Sequence, residues 1–495
     1  MQTSISPDSV PATVPVPTPV APSDLERLRQ LRAGQLTGVQ RLDLSCGLTE
    51  FPPEIFALAD SLEILNLSGN LLDRLPDDLH RLHKLRVLFC SDNRFTELPE
   101  ALGRCTALRM VGFKANRIVR VPPAALPEAL RWLILTDNRI ETLPESLGRC
   151  TTMQKLMLSG NRLQRLPDSL ANCRQLELLR IAANRFTALP DGLFALPRLT
   201  WLACAGNPLS DASEAVALAA HPMPQIEWRD LHIAQKVGEG ASGVIHLGTW
   251  QPRQTALPDP HDSRSALSAS SPAPASLPVP MPVAVKLFKG AMTSDGLPQS
   301  EMAACMAAGA HDHLIGVKGR IVGHPAGTEG IVMTPIDPVF GNLAGPPSFD
   351  SCTRDVYPAD RRFDVPAVLG IALAIASATA QLHARGILHG DLYAHNIQWD
   401  GQVGALLGDF GAAAFFATGT EAEQADAHAL QRLETRAFGV LLEELLARCD
   451  VSPEQRETVV AVTALQAQCL QDDAGARPLF VESRDVLAQL RALCG

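Results

Sequence analysis

An asparagine recurs through the first half of the chain at an almost constant spacing of 22 or 23 residues. The positions are Asn70, Asn93, Asn116, Asn138, Asn161, Asn184 and Asn207. Apolar residues stand eight, five and three positions before each asparagine, and a Leu-Pro pair or its equivalent follows in most repeats. A single unit of this length cannot bury its own apolar side, so successive units must stack around a shared core. The spacing therefore predicts an elongated solenoid.

The pattern resembles leucine-rich repeats, in particular the intracellular, signalling-associated repeats of about 23 residues that carry the Leu-Pro feature. The match runs from Leu42 to Leu209, with a divergent first repeat in which Gly47 takes the place of the asparagine. The resemblance implies one short strand per repeat, with leucines in the core and the asparagine bonding the backbone where the chain turns. We assign residues 23–212 to this domain and 213–227 to a cap and linker.

Residues six and four positions before each asparagine should lie on the concave surface, because successive strand residues alternate between faces. Most of these residues are apolar, and the most prominent are Phe89, Trp132, Ile134, Met157 and Trp201. A contiguous apolar stripe on a protein surface is typical of an interaction site. We expect it to bind a protein ligand; the alternative is that a neighbouring domain or loop of the same chain covers it.

The second half of the chain, residues 228–495, contains a glycine-rich segment of the form G-x-G-x-x-G followed directly by Val. Its candidate nucleotide-contacting residues are Gly238, Gly240, Ser242, Gly243 and Val244. Glycines let a backbone approach phosphates closely, but such a segment is weak evidence alone. Four further elements follow in order: Val-Ala-Val-Lys ending at Lys286, Glu301 on a helical stretch, His-Gly-Asp-Leu around Asp391 with Asn396 beyond it, and Asp-Phe-Gly from Asp409.

These five elements, in this order, resemble the eukaryotic-type protein kinases over nearly the whole second half. The resemblance implies a two-lobed α+β fold that uses ATP and Mg²⁺. It implies that Lys286 holds the α- and β-phosphates and pairs with Glu301, and that Asp391 orients the acceptor hydroxyl and accepts its proton. It also implies that Asn396 and Asp409 hold the Mg²⁺ ions that bridge the phosphates.

Met333 ends an apolar strand and is expected to line the back of the adenine pocket. Glu301 stands fifteen residues after Lys286, and its assignment rests on its place before the segment His311-Asp312-His313-Leu314. The alternative for Glu301 is a solvated charge on a helix surface.

The sequence departs from the kinase pattern at several positions. Gly390 replaces the usual Arg before the catalytic Asp, so activation by a phosphorylated loop is not expected. Tyr393 replaces the Lys that commonly marks Ser/Thr kinases, so a Ser/Thr acceptor rests on the family default. No Ala-Pro-Glu occurs between Asp409 and Glu434, which leaves Arg477 without its usual partner and predicts a reduced peptide-docking platform.

Two other classes of function stay open. The His-Gly-Asp-Leu segment also resembles small-molecule kinases of the aminoglycoside and choline type, although the complete glycine-rich segment and Val-Ala-Val-Lys favour a protein kinase. A pseudokinase scaffold would bind partners without chemistry, but degenerate enzymes usually lose one of Lys286, Asp391, Asn396 and Asp409, and all four are present. We therefore predict a multidomain protein: an α/β leucine-rich-repeat solenoid followed by an α+β two-lobed protein-kinase-like fold that phosphorylates a protein substrate.

The composition of the chain indicates which partners and which cell compartment to expect. The net charge of −10 gives no reason to expect nucleic acid. Eleven cysteines without a C-x-x-C pair suggest reduced thiols and a cytoplasmic protein. The Pro-rich residues 1–22 lack the pattern of a secretory signal and predict a disordered tail, and 251–282 predicts a mobile low-complexity insertion. The longest apolar run, near 368–380, is shorter than the ~20 residues that span a bilayer, so no membrane span is predicted.

Overall fold

The computed structural model describes residues 22–190, 192–240, 242–252 and 279–493. Nearly all of the predicted tail at 1–22 and most of the predicted insertion at 251–282 lie outside these ranges. The described residues form a repeat solenoid followed by a two-lobed domain.

The solenoid contains one three-residue strand per repeat. In chain order the strands are β1 Arg41–Asp43, β2 Ile64–Asn66, β3 Val87–Phe89, β4 Met110–Gly112, β5 Trp132–Ile134, β6 Lys155–Met157, β7 Leu178–Arg180 and β8 Trp201–Ala203. They form a single parallel sheet in sequence order. Corresponding positions of adjacent repeats lie side by side, so Leu133 is next to Leu156. Short 3-10 helices such as Glu145–Arg149 follow the Leu-Pro pairs on the convex side. The predicted solenoid is confirmed.

The recurring asparagines join each repeat to the one before it. The side-chain nitrogen of Asn161 donates to the carbonyls of Leu135 and Leu158 at 2.9 and 2.8 Å, and its oxygen accepts from the Ile140 N–H at 3.0 Å. The side chain is buried, as are the apolar residues around it. A buried amide with this many backbone partners replaces the hydrogen bonds that the turning chain would otherwise lose.

Both ends of the solenoid are closed by helices. Helix α1, Pro22–Arg32, places Leu28 and Leu31 in the solenoid core. Helix α2, Pro208–Ala220, follows the last repeat. The residues beyond it are not a free linker: strand β9, Gln225–Glu227, joins the first sheet of the second domain. The predicted linker therefore ends inside the kinase-like fold.

The smaller lobe is built on a six-stranded sheet with one helix. Its further strands are β10 Leu231–Glu239, β11 Gly243–Trp250, β12 Met281–Phe288, β13 Val317–Val322 and β14 Gly330–Met333, and its helix is α3 Pro298–Ala308. Strands β10, β11, β12 and β14 pair antiparallel in that order, and β13 carries β9 at the far edge.

The larger lobe is mainly helical. Its helices are α4 Val365–Ala384, α5 Glu421–Leu446, α6 Arg456–Cys469 and α7 Phe480–Leu493, and its short strands are β15 Gly341–Asn342, β16 Ile387–Leu388, β17 Ile397–Trp399, β18 Ala405–Leu407 and β19 Ala414–Phe415. The apolar run near 368–380 belongs to α4. Of the described helices, α4 alone is long and apolar enough to cross a membrane, by length and composition only, and 72% of its most apolar window is buried. It lies against α7 and β18 in the centre of this lobe.

The solenoid and the larger lobe share their hydrophobic cores. Leu388 and Leu430 of the lobe belong to the same cluster of buried residues as the solenoid leucines. Conversely, Leu178 and Trp201 of the solenoid belong to the cluster that forms the core of the lobe. The concave side of the last repeats is therefore packed against the second domain.

Candidate active site

The structure brings Lys286 of β12 and Glu301 of α3 together. The Nζ of Lys286 donates to the Glu301 carboxylate, and both side chains are almost fully buried, with 8% and 4% of their surface exposed. Burial alone would lower the pKa of Lys286, but the negative charges of Asp409 and Glu301 outweigh it and raise that pKa. Glu301 is therefore not a solvated helix charge. The pair fixes the end of the lysine side chain inside the cleft.

The glycine-rich segment connects β10 to β11 and approaches this lysine closely. A Cβ on Gly243 would lie 2.6 Å from the Leu287 carbonyl oxygen and 3.3 Å from Cγ of Lys286, so only glycine fits there. The Gly240 N–H donates to the Gly243 carbonyl at 2.9 Å, which closes the turn. A Cβ on Gly240 would meet nothing within 4 Å, so this residue borders open space. The segment thus combines one tightly packed glycine with an open one.

The other predicted nucleotide-contacting residues lie on the same sheet. Ser242 is buried, and its carbonyl accepts from the Lys289 N–H at 3.1 Å. Val244 lies in β11 beside β12. Met333 ends β14 opposite Ala284 and is half-buried. By register, Met333 shares the face of β12 that carries Lys286, because its partner Ala284 is two residues from the lysine, whereas Val244 is opposite Leu287 and lies on the other face.

A buried carboxylate in α5 holds the backbone of the catalytic loop. The Glu434 carboxylate accepts from the N–H groups of His389 and Gly390 at 3.2 and 2.6 Å, and Nε2 of His383 lies 2.8 Å from it. Burial alone would raise the pKa of Glu434, but the hydrogen bond and charge of His383 outweigh it and lower that pKa. Glu434 therefore fixes the backbone of the two residues before Asp391.

His389 contributes to the same scaffold. Its Nε2 lies 2.9 Å from the Gly408 carbonyl, and its Nδ1 accepts from the Asp391 N–H at 3.3 Å. The ring therefore ties the catalytic loop to the segment that precedes Asp409. Both nitrogens have backbone partners, which is consistent with a structural histidine and no proton-transfer role.

Asp391, Asn396 and Asp409 converge at the mouth of the cleft. The side-chain nitrogen of Asn396 donates to the carbonyl and to Oδ2 of Asp391 at 2.9 and 3.0 Å, so its oxygen is the atom available to a metal ion. Oδ1 of Asp409 lies 3.9 Å from Nζ of Lys286 and accepts from the Gly411 N–H at 3.2 Å. The Asp409 side chain is 49% exposed. It is therefore accessible from the cleft.

These residues fit a nucleotide-bound divalent cation. An amide oxygen and a carboxylate are ligands that Mg²⁺ prefers, and Mg²⁺ is usually held by few protein groups with phosphates and waters completing its shell. The described residues contain no cluster of three His, Cys, Asp or Glu side chains that could hold a metal ion alone.

The solenoid supplies a further residue to this site. Arg180, at the end of β7, donates through Nη2 to Oδ1 of Asp391, through Nη1 to the Gly390 carbonyl at 3.0 Å, and through Nε to Oδ1 of Asp295 at 2.9 Å. Its side chain is 3% exposed, and that of Asp391 is 16% exposed. Burial would raise the pKa of Asp391, but the charge of Arg180 outweighs it and lowers that pKa. The side of Asp391 away from the nucleotide cleft is thus covered.

The next solenoid strand contacts the same loop. The Trp201 ring stacks on Tyr393 with 4.0 Å between ring centroids and 7° between planes, and its Nε1 donates to the Leu392 carbonyl at 3.0 Å. Gly390 has a φ of 75°, and a Cβ there would lie 2.5 Å from the Leu202 carbonyl oxygen. Two of the departures from the kinase pattern, Gly390 and Tyr393, are therefore residues that contact the solenoid.

A second segment of the kinase-like domain, 292–297, lies between the solenoid and the cleft. Ser159 donates to the Ser294 carbonyl at 2.7 Å. A Cβ on Gly206 would lie 2.6 Å from Cδ1 of Leu297, and a Cβ on Gly160 would overlap Met292. The glycines before two repeat asparagines thus make room for this segment, which also contains Asp295.

These contacts correct the expectation of an open concave stripe. Trp201 is 1% exposed. Phe89, Trp132, Ile134 and Met157 are half-buried. The ring of Phe89 lies 5.9 Å from that of Phe349 in the kinase-like domain. The alternative interpretation therefore holds at the Trp201 end of the stripe, which the kinase-like domain covers, while the other four residues keep part of their surface exposed.

Arg477 does find partners. It donates to the carbonyls of Gln471, Arg432 and Pro197 at 2.8, 3.2 and 3.0 Å. Burial lowers its pKa to about 10. Pro197 belongs to the solenoid, so the carbonyls of three segments replace the carboxylate that the sequence lacks.

Sequence reasoning missed Arg180 and Asp295 as members of the site. The only signal was the presence of Arg180 in a column of concave residues that is otherwise largely apolar. A charge at such a position has to meet an opposite charge when the face is covered. Asp295 carries no comparable signal in the sequence.

The fold and the cleft define a two-lobed protein kinase joined to a leucine-rich solenoid, and the comparisons agree. The family described as leucine rich repeat matches residues 37–95 and 128–186. The family described as protein tyrosine and serine/threonine kinase matches residues 231–437. The chain therefore contains leucine-rich repeats followed by a protein kinase domain.

Individual relatives add little to this assignment. No curated protein matches the chain. The solved structures that match include a leucine-rich-repeat protein of Leptospira interrogans with 27% identity and a TM-score of 0.31. That alignment covers 37% of this chain and 53% of the other, so the chain spans about half the length of that protein.

Proposed function

We propose that this protein transfers the γ-phosphoryl group of ATP, with Mg²⁺, to a Ser or Thr hydroxyl of a protein substrate. The observation that carries the proposal is the assembled cleft: the Lys286–Glu301 pair is formed and buried, with Asp409 3.9 Å from the lysine and Asn396 bonded to Asp391. A pseudokinase scaffold has no need of this arrangement.

Each side chain has a role that its position supports. Lys286 neutralises the α- and β-phosphates, and Glu301 keeps it directed into the cleft. Asn396 and Asp409 would hold Mg²⁺, which when bound supplies positive charge to the phosphates. Asp391 orients the acceptor hydroxyl and takes its proton as the hydroxyl oxygen bonds to the γ-phosphorus and ADP leaves. The lowered pKa of Asp391 keeps the carboxylate ionised for this step.

The solenoid is proposed to recognise a protein partner through its concave side, and the protein to act in the cytoplasm. Leucine-rich solenoids present extended concave surfaces to protein ligands. Because the kinase domain covers this side here, a partner on the predicted stripe has to compete with that domain. Ten cysteines among the described residues are free, in agreement with a reducing compartment.

A second candidate is a small-molecule phosphotransferase. The observation that favours it is the cover over Asp391, whose side chain is 16% exposed. A narrow opening admits a small alcohol more readily than a polypeptide. The match to the protein tyrosine and serine/threonine kinase family favours the protein acceptor.

The test is transfer of radiolabelled γ-phosphate from Mg-ATP by the full chain and by Asp391→Asn. General protein substrates and a panel of aminoglycosides and choline are assayed side by side. Label in protein that falls by about 10²- to 10⁴-fold in Asp391→Asn supports the proposal. Label in small molecules alone establishes the second candidate. Nucleotide binding without label in any acceptor, for the intact chain and for the opened variants described below, refutes both.

A further inference from the structure

The two sides of the catalytic cleft are in different states. On the nucleotide side, Lys286 and Glu301 are paired and Asp409 is 49% exposed. On the acceptor side, Asp391 is enclosed: Oδ1 accepts from Arg180 and Oδ2 from Asn396. Each oxygen already accepts one hydrogen bond, and the side chain is only 16% exposed, which leaves little room for a substrate hydroxyl.

From this difference we infer that the solenoid is an intramolecular lock on the acceptor side of the kinase. Docked, the chain binds Mg-ATP but excludes polypeptide acceptors; undocked, it phosphorylates them. The inference rests on the proposed protein kinase activity and specifies how that activity is controlled.

Every nitrogen of the Arg180 guanidinium has a hydrogen-bond acceptor in the kinase-like domain, which indicates a specific contact. All three of its nitrogens donate, to Asp391, to the Gly390 carbonyl and to Asp295. A buried arginine is costly unless its donors and charge are satisfied, and here two carboxylates and a carbonyl satisfy them.

The catalytic loop is shaped to receive the solenoid. Gly390 leaves space for the Leu202 carbonyl, which a Cβ would approach to 2.5 Å. Tyr393 offers a flat ring to Trp201. These two residues stand where kinases usually have an Arg and a Lys, so the features that would serve loop phosphorylation and a peptide acceptor are replaced by features that bind the solenoid.

The lock does not distort the nucleotide side. Ser300 at the start of α3 donates to the Glu214 carboxylate of α2 at 3.1 Å, and Leu297 packs on Gly206 of the solenoid. In the docked state these contacts leave the Lys286–Glu301 pair formed, and that pair joins β12 to α3 within the smaller lobe itself. Undocking therefore opens access to Asp391 without being needed to form the Lys286–Glu301 pair.

A small apolar patch allows the lock to be opened without touching the catalytic residues. Ala182 and Ala203 of the solenoid pack against Ala412, and all three are at most 1% exposed. Ala203 lies on the concave face, outside the solenoid core. A glutamate there has no space while the domains are docked, and becomes solvated when they separate.

The experiment compares the full chain with Ala203→Glu and Arg180→Ala, and with Asn66→Glu as a control in the same concave column, six strands away. Three quantities are measured: kcat/KM for a general protein substrate such as casein, the Kd of a non-hydrolysable ATP analogue with Mg²⁺, and hydrogen exchange of backbone amides 388–393. We expect at least a tenfold rise in kcat/KM and faster exchange in both opened variants. The nucleotide Kd should stay within twofold, and Asn66→Glu should match the wild type.

The outcomes separate the lock from the activity. If the wild type is as active as both opened variants, the lock is refuted and the kinase activity is not. A loss of activity in Arg180→Ala and Ala203→Glu also refutes the lock, because the solenoid would then be needed to position the catalytic loop. Faster exchange without transfer to any protein refutes the lock together with the proposed protein kinase activity. Unchanged exchange in Ala203→Glu, with folding intact by circular dichroism, shows that the docked interface does not exist in solution and also refutes the lock.

Discussion

Replacing Glu301 by Gln should destabilise the smaller lobe through the lysine that it leaves behind. Lys286 is 8% exposed, and its remaining anionic neighbour would be Asp409, which is 3.9 Å away and half-exposed. Breaking a buried ion pair by removing one partner costs about 3–5 kcal/mol. We expect a loss of this size in the free energy that opens β12 and α3, because the charge of Lys286 stays buried without a direct partner.

The same argument predicts that the loss is not additive. Lys286→Met removes the stranded charge, so Lys286→Met/Glu301→Gln should be less destabilised than the sum of the two single variants by about 3 kcal/mol. Native-state hydrogen exchange resolved by peptide reports the opening free energy of each element separately, which matters in a chain of several domains.

The control is Glu239→Gln. Glu239 bridges Lys236 and Lys289 in the same lobe, but all three side chains are at least 40% exposed. Its removal should change the exchange of β12 and α3 little, since exposed ion pairs contribute little. Equal effects of Glu239→Gln and Glu301→Gln, or strict additivity of Lys286→Met and Glu301→Gln, would show that the buried pair is not what stabilises this lobe.

Three further predictions follow from the packing and charge of other residues. Asn161→Ala should lower the free energy of unfolding of the solenoid by about 3 kcal/mol, because three backbone hydrogen bonds are lost. The control is Asn172→Ala, at an exposed position. Equal melting temperatures of the Asn161→Ala and Asn172→Ala variants would contradict the bonding role of Asn161. Gly390→Ala should speed exchange in β7 and β8, because its Cβ would overlap the Leu202 carbonyl; unchanged protection there would argue against close docking. Glu434→Gln should be less stable than the wild type at neutral pH. This difference in the free energy of unfolding should shrink as pH falls through the depressed pKa of Glu434, because a lowered pKa stabilises the fold only while the group is ionised. Urea titrations at several pH values would test this, and a difference in stability that does not change with pH would refute it.

The sequence predicted the parts of the active site that lie close together along the chain or at family-specific spacings. The step from Asp391 to Asn396 places both on one loop, and the Val-Ala-Val-Lys segment places Lys286 on a strand. The pairing of Lys286 with Glu301 could only be inferred from the resemblance, because no local rule brings a strand and a helix together. The structure supplies that contact.

The role of the solenoid relative to the kinase domain could not be read from the repeats. Periodicity determines which residues are buried in the solenoid core and which face outward, since each repeat meets only its neighbours. It does not determine what an outward-facing column meets. Trp201 and Arg180 occupy equivalent kinds of position, and their contacts with Tyr393 and Asp391 depend on residues about 200 positions away.

The sequence by itself determined the two folds, the order of the domains and the residues that a kinase of this type needs. Repeat spacing and motif order are local properties, and the hydrophobic and steric requirements behind them act over a few residues or between adjacent repeats. The tertiary structure alone decided that the solenoid closes over Asp391. That contact arises from burying apolar surface and satisfying a buried charge between distant segments, and neither energy is encoded at any single position.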